Sequence, residues 1–135
     1  MRTLATALLV LAAACATGRP GDAPSIAGTY VLTRIDSRTL PTYSPSERNV
    51  IVQRGTLNLG RAGAFVLTLA ARSSPQLPLV ERSVRGAYAV SGETLTVTPG
   101  SDAPGAAPIV YRVARAGIQL TLRDAQGHRY EFTVR

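Results

Sequence analysis

The chain has no lysine, no tryptophan, a single histidine and a single cysteine among its 135 residues. Each shortage removes a class of explanation. With Cys15 alone, no disulfide can form within the chain, so the fold must rest on packing and backbone hydrogen bonds. With His128 as the one imidazole, several converging metal ligands are not on offer, and neither a metal nor any other cofactor is expected. Aromatic residues make up only 5% of the chain, too few to interleave a stacking platform between the basic residues. Long apolar runs are also scarce. Leu4 to Ala14 spans eleven residues, about half of the ~20 that a membrane-crossing helix needs.

What is present is charge of one kind. The formal charge is +7, and all fifteen basic residues are arginine. They are scattered, with no run of three, so no nucleic-acid partner is expected. The eight acidic residues are dispersed as well and suggest no paired-carboxylate site. Ser44, Ser46, Ser73 and Ser74 fall in loop-like sequence without a nucleophile elbow or a base beside them. Gly60-Arg61-Ala62-Gly63 has the spacing of a hairpin turn rather than of a phosphate-cradling loop. No enzymatic activity is expected, and the length suits one domain, expected as a monomer.

The N-terminus reads as an address. Met1-Arg2-Thr3 supplies a positive start, Leu4 to Ala14 an apolar segment, and small residues close it, as in a cleavable signal peptide over 1–14. Leu11-Ala12-Ala13-Ala14-Cys15 resembles the lipobox of bacterial lipoproteins. That resemblance implies lipid attachment at Cys15, an anchor in the membrane and residence in the cell envelope. A competing cut is also written there, because Ala14-Cys15-Ala16 has the small-x-small form of an ordinary cleavage site and would discard the cysteine. Residues 15–26, rich in Gly, Pro and small polar residues, read as a flexible tether between anchor and domain.

From residue 27 to 135 the hydrophobic period is two. Tyr130, Phe132 and Val134 alternate with Arg129, Glu131 and Thr133, and Ile118, Leu120 and Leu122 alternate with Gln119, Thr121 and Arg123. Asp124-Ala125-Gln126-Gly127 between them carries the chemistry of a tight hairpin. The same alternation places Val84, Tyr88 and Val90 on one face and Phe65, Leu67 and Leu69 on another. Residues 49–59 do not hold one phase, and Gly55 is the expected bulge. The pattern predicts an all-β, antiparallel, eight-stranded meander closed into a small barrel, since closure removes exposed edges. An open two-sheet sandwich is the alternative.

Gly28-Thr29-Tyr30-Val31-Leu32, the phrase Gly86-Ala87-Tyr88-Ala89-Val90 and the terminal Tyr130-Glu131-Phe132 are similar to the lipocalin-like small barrels of bacterial lipoproteins. Tyr30 stands where lipocalins carry Trp in the first strand. The resemblance implies a non-enzymatic binding module for a small hydrophobic ligand or envelope component. Tyr30, Phe65, Tyr88, Tyr111, Tyr130 and Phe132 are its candidate pocket residues. The other reading is an interaction lipoprotein whose barrel is filled and whose outside contacts a protein. An apolar void above ~300 Å³ favours a ligand, and native packing density throughout favours a contact surface. The long connection Asp36 to Arg48 carries Tyr43 between Pro41 and Pro45 and is the candidate lid over one barrel mouth.

Overall fold

The computed structural model describes residues 25–135. The signal peptide over 1–14 and Cys15 lie outside the described residues. Ten strands follow: β1 (Gly28–Ile35), β2 (Arg38–Thr39), β3 (Thr42–Tyr43), β4 (Ile51–Leu59), β5 (Ala64–Arg72), β6 (Val80–Ser91), β7 (Thr94–Pro99), β8 (Ile109–Ala116), β9 (Gln119–Arg123) and β10 (Arg129–Val134). Every pairing is antiparallel, and from β3 to β10 neighbours in sequence are neighbours in the sheet. β1 pairs with β10 on one side and with β4 on the other, which closes eight strands into a barrel. The expected architecture is therefore the one found.

Alternation does the folding. Leu57 and Leu59 on β4 stand opposite Leu67 and Phe65 on β5, and Leu120 and Leu122 on β9 stand opposite Phe132 and Tyr130 on β10. These positions point inward, and the largest fully buried side chains are Tyr30, Phe65, Phe132 and Leu57. Fully burying each such side chain contributes about 1.5–3 kcal/mol, which stands in for the disulfides this chain lacks. Two of the barrel's tyrosines keep their hydroxyls bonded. Tyr30 donates to the Ile26 carbonyl at 2.6 Å, and Tyr88 donates to the Gly60 carbonyl at 2.8 Å.

Two register shifts shape the wall. One falls between Leu32 and Arg34 on β1, so that Leu32 and Ile35 both face the core despite their odd spacing. The other falls between Val52 and Arg54 on β4. The bulge expected at Gly55 is therefore two residues earlier, around Gln53. Gly55 is required for another reason, since a Cβ there would come within 2.8 Å of Leu69 Cδ2 and 2.9 Å of Leu32 Cδ2. It is glycine because the core passes close, not because the strand bends.

The two ends of the barrel differ. One end carries the tight turns at 60–63, 92–93 and 117–118, together with the start of the described chain. There Arg115 donates to the Ser25 carbonyl at 2.8 Å, and Ile26 packs against the core. The opposite end carries the long connections 36–50, 73–79 and 100–108. Asp36 begins the first of these with φ 48, and its carboxylate accepts from the Arg129 backbone N–H at 2.8 Å and pairs with His128 Nδ1 at 3.0 Å. These contacts tie the turn after β1 to the start of β10. The connection then adds β2 to the edge of β1 and β3 to the edge of β4.

Candidate ligand-binding site

At the long-loop end, β4, β5 and the first half of β6 present Val52, Leu69, Ala71 and Val80 to a cleft of about 340 Å³. Residues 44–50 form one wall and residues 73–79 the other, with Val50, Leu77 and Pro78 extending the apolar lining. The lining is apolar because β5 continues its inward phase past the packed core. Leu69 and Ala71 are the next inward positions after Phe65 and Leu67, half-buried against the core and turned to the cleft. Leu77 is 52% exposed and Val80 54%, an exposure that favours occupation of the cleft by another apolar group.

The polar groups sit at the rim. Arg82 occupies an inward register position, opposite Leu69. It donates from Nη1 to both carboxylate oxygens of Glu47, at 2.8 and 2.9 Å, and so joins the 44–50 wall to β6. Ser44 Oγ accepts from the Glu47 backbone N–H at 3.2 Å, which curls this loop toward the pair. On the outer face, Arg54 and Glu81 stand on either side of Ala70 and pair across it at 3.2 Å. The methyl side chain of Ala70 leaves room for that bridge and is itself buried beneath it. Arg82 thus turns to the cleft while its neighbour Glu81 is engaged outside.

The candidate residues named from the sequence fall into three places. Tyr30, Phe65 and Phe132 lie within the packed core, each 1% exposed or less. Tyr88, Tyr111 and Tyr130 are half-buried and pack against that core. Burial raises the pKa of all three hydroxyls; the Asp124 carboxylate raises those of Tyr111 and Tyr130 further. Tyr88 also lines a wide depression of about 820 Å³ at the opposite, short-turn end, between Arg61 and Arg115. Tyr43 pairs with Ile51 on β4 and is 62% exposed. Its connection reaches the barrel through other residues. Leu40 packs on the core, Thr42 is buried and Glu47 meets Arg82.

Sequence reasoning missed the cleft itself, yet one signal for it was in phase. Val80 and Arg82 share the parity of Val84, Tyr88 and Val90, so an arginine stood in an otherwise apolar inward series. Among the described residues, no serine, cysteine or threonine is hydrogen-bonded to the imidazole of the His128–Asp36 pair. Its partners are the turn and the strand it joins, which makes it a brace for the fold. Among the described residues, no group of three or more His, Cys, Asp or Glu is placed to hold a metal ion.

No protein-family model matches this chain, and no curated protein matches it. The barrel and its cleft are therefore what a functional reading has to stand on. An eight-stranded barrel of this size is compatible with a lipocalin-like barrel and with either a ligand-binding or a structural role.

Proposed function

We propose that this protein is a non-enzymatic, exported lipoprotein, anchored through Cys15, whose barrel holds a small hydrophobic molecule at its long-loop end. The observation that carries the reading is the cleft of about 340 Å³ between residues 44–50 and 73–79, apolar at its floor and polar at its rim. Pockets of that size and lining suit small ligands oriented by a few polar groups. The ligand site lies at the end of the barrel opposite the start of the described chain. An anchored protein would thus present the cleft away from the membrane that holds it. The Cys15 anchor is supported by the lipobox-like segment Leu11–Cys15.

The test is direct. The exported protein, extracted from the envelope in mild detergent, is analysed by native mass spectrometry and titrated with an apolar fluorescent probe such as N-phenylnaphthylamine. A co-purifying small molecule, or saturable probe binding at one site, supports the reading; neither would sink it. Metabolic labelling with an alkynyl palmitate tests the anchor, and label that survives Cys15→Ser would refute it.

A filled barrel with a protein-contact surface is the second reading. It is favoured by the packing of Tyr30, Leu57, Leu95 and Phe132 at the barrel centre, all fully buried. On that reading the cleft takes a partner's side chain instead of a free molecule.

A further inference from the structure

The short-turn end of the barrel exposes apolar side chains that the fold does not cover. β7 begins opposite Arg112, so residues 114–116 of β8 run on past the 92–93 turn and carry the β8–β9 hairpin with them. Every residue from Ala114 to Gln119 is exposed. Ile118 stands at the tip, in a loop of Gly117 and Ile118 between the paired Ala116 and Gln119. It is 67% exposed, at a position where turn chemistry favours glycine or small polar residues. Val134, whose N–H donates to the Ile118 carbonyl at 2.8 Å, and Val90 add two more exposed apolar side chains to the same end. Arginines stand beside them without the carboxylates that arginines have elsewhere. Arg54, Arg82 and Arg129 pair with Glu81, Glu47 and Glu131, whereas Arg61 and Arg115 enter no ion pair among the described residues. Arg115 is held by neutral acceptors only, the Ser25 carbonyl at 2.8 Å and the Gly117 carbonyl at 3.3 Å, which fix its place and leave its charge uncompensated. Both arginines line the depression of about 820 Å³ together with Val90.

Apolar side chains flanked by cations are what an anionic lipid surface takes up, because burial and charge attraction act together there. We infer that the short-turn end docks on an anionic phospholipid surface, with Ile118 and its apolar neighbours entering the interface and Arg61 and Arg115 meeting the lipid phosphates. The inference rests on the Cys15 anchor proposed above, which brings that surface within reach. Ten residues lead from Cys15 to Ser25, and a chain of that length spans at most about 35 Å. Ser25 lies at this end of the barrel, within hydrogen-bonding distance of Arg115. The bilayer that holds the anchor is thus confined to the side on which Ile118 projects. A second copy of the chain is a poorer occupant, since it would bring the same uncompensated arginines against each other. Docked in this way, the barrel stands upright, and the cleft at the long-loop end opens to solvent.

The chain contains no tryptophan, so a single introduced indole reports its own surroundings. The exported full-length protein is added to vesicles of phosphatidylcholine, alone or mixed with phosphatidylglycerol. On the mixed vesicles the emission of Ile118→Trp should shift to the blue and be quenched by lipids with brominated acyl chains, and on phosphatidylcholine alone both effects should be smaller. Tyr43→Trp, at a position 62% exposed at the opposite end, should keep the emission of an indole in water. Adding Arg61→Gln and Arg115→Gln to Ile118→Trp should lower the quenched fraction several-fold, as should high salt; glutamine at 115 retains a donor for the Ser25 carbonyl. An Ile118→Trp indole that stays in water on the mixed vesicles would overturn the inference. So would equal quenching of Tyr43→Trp, or quenching indifferent to both arginines. Flotation with phosphatidylcholine vesicles reads the anchor separately. Protein that floats while its indole remains in water keeps the anchor and loses the docking. Protein that does not float lacks the anchor, and its quenching at rising concentrations of the mixed vesicles then decides the docking by itself.

Discussion

Glu47 and Arg82, thirty-five residues apart, meet in an ion pair in which one guanidinium nitrogen reaches both carboxylate oxygens at 2.8 and 2.9 Å. The pair closes the rim of the cleft between the 44–50 connection and β6. Both side chains are largely solvated, at 67% and 46% exposure for Arg82 and Glu47. Exposed pairs of this kind contribute about 0–1 kcal/mol. Glu47→Gln should therefore leave the midpoint of chemical denaturation nearly unchanged. Because the pair bridges the two walls, the same variant should speed release of a bound apolar probe several-fold in stopped-flow displacement. Unaltered release would show that the rim does not gate the cleft.

The cleft should be closable without harm to the core. Val80 is half exposed and lines the cleft floor, so Val80→Trp can fill the space from the solvent side. Probe binding should fall at least tenfold, while thermal stability should move by no more than a few degrees. A variant that folds and still binds the probe would put the ligand elsewhere on the protein.

Glycine at two inward positions should prove more costly to replace than any rim residue. At Gly86 an added Cβ would meet the Thr98 carbonyl well inside van der Waals contact, and both atoms belong to rigid strand backbone. At Gly55 the obstacles are the side chains of Leu69 and Leu32, which can rotate away. Overpacking costs about 1–3 kcal/mol, and Gly86→Ala should lie at or beyond the upper end of that range, with Gly55→Ala below it. Urea denaturation of the two variants checks the order, and the reverse order would show that the β6–β7 contact is the softer one.

The barrel was legible in the sequence because burial on one face writes itself as alternation. Leu120, Leu122, Tyr130 and Phe132 each declare their side without reference to anything distant. What alternation could not place were the shifts of phase. The odd spacing of Leu32 and Ile35 and the bulge at Gln53 depend on which residue the partner strand sets opposite. Gly55 drew attention as a strand glycine, but the reason for it lies on β1 and β5. The cleft was illegible for the same reason. Its walls are connections whose paths are set by contacts such as Asp36 with Arg129 and Glu47 with Arg82, ninety-three and thirty-five residues apart. Of the six candidate pocket aromatics, Tyr30, Phe65 and Phe132 lie in the packed core, where large inward side chains fill a barrel this narrow, and Tyr88, Tyr111 and Tyr130 pack half-buried against it.

Asp36 gives stability an acid limit. The Arg129 backbone N–H, and then the His128 side chain, hold its carboxyl below its ordinary value of 3.8. A depressed carboxyl pKa stabilises the fold at pH above the unfolded value, and that contribution is lost as pH falls through the folded one. Urea midpoints measured from pH 6 downward should therefore decline below about 4. Asp36→Asn should flatten that decline and lower the plateau by a fraction of a kcal/mol, since the carboxylate is 40% exposed. An unchanged pH profile in this variant would show that Asp36 does not brace the turn.

The alkaline limit should be steeper, because it rests on four groups at once. Tyr30, Tyr88, Tyr111 and Tyr130 all have hydroxyls raised above 10.0, each chiefly by burial. Tyr130 is raised the most, since the Asp124 carboxylate and the Tyr111 hydroxyl add to its burial. A raised tyrosine pKa favours the neutral form in the folded state. Its contribution is complete below the unfolded value and is lost as pH climbs toward the folded one. Stability should therefore hold to about pH 10 and fall beyond it. In a Tyr43→Phe background, which removes the exposed tyrosine, absorbance at 295 nm should show phenolate appearing together with loss of the β-sheet circular dichroism signal, rather than ahead of it. Tyr130→Phe removes the largest single contribution and should carry the folded state to higher pH than the parent, even where it costs some stability at neutrality. If these four tyrosines ionised reversibly while the sheet stayed intact, the barrel would be open to water at the positions where Tyr111 and Tyr130 pack against the core.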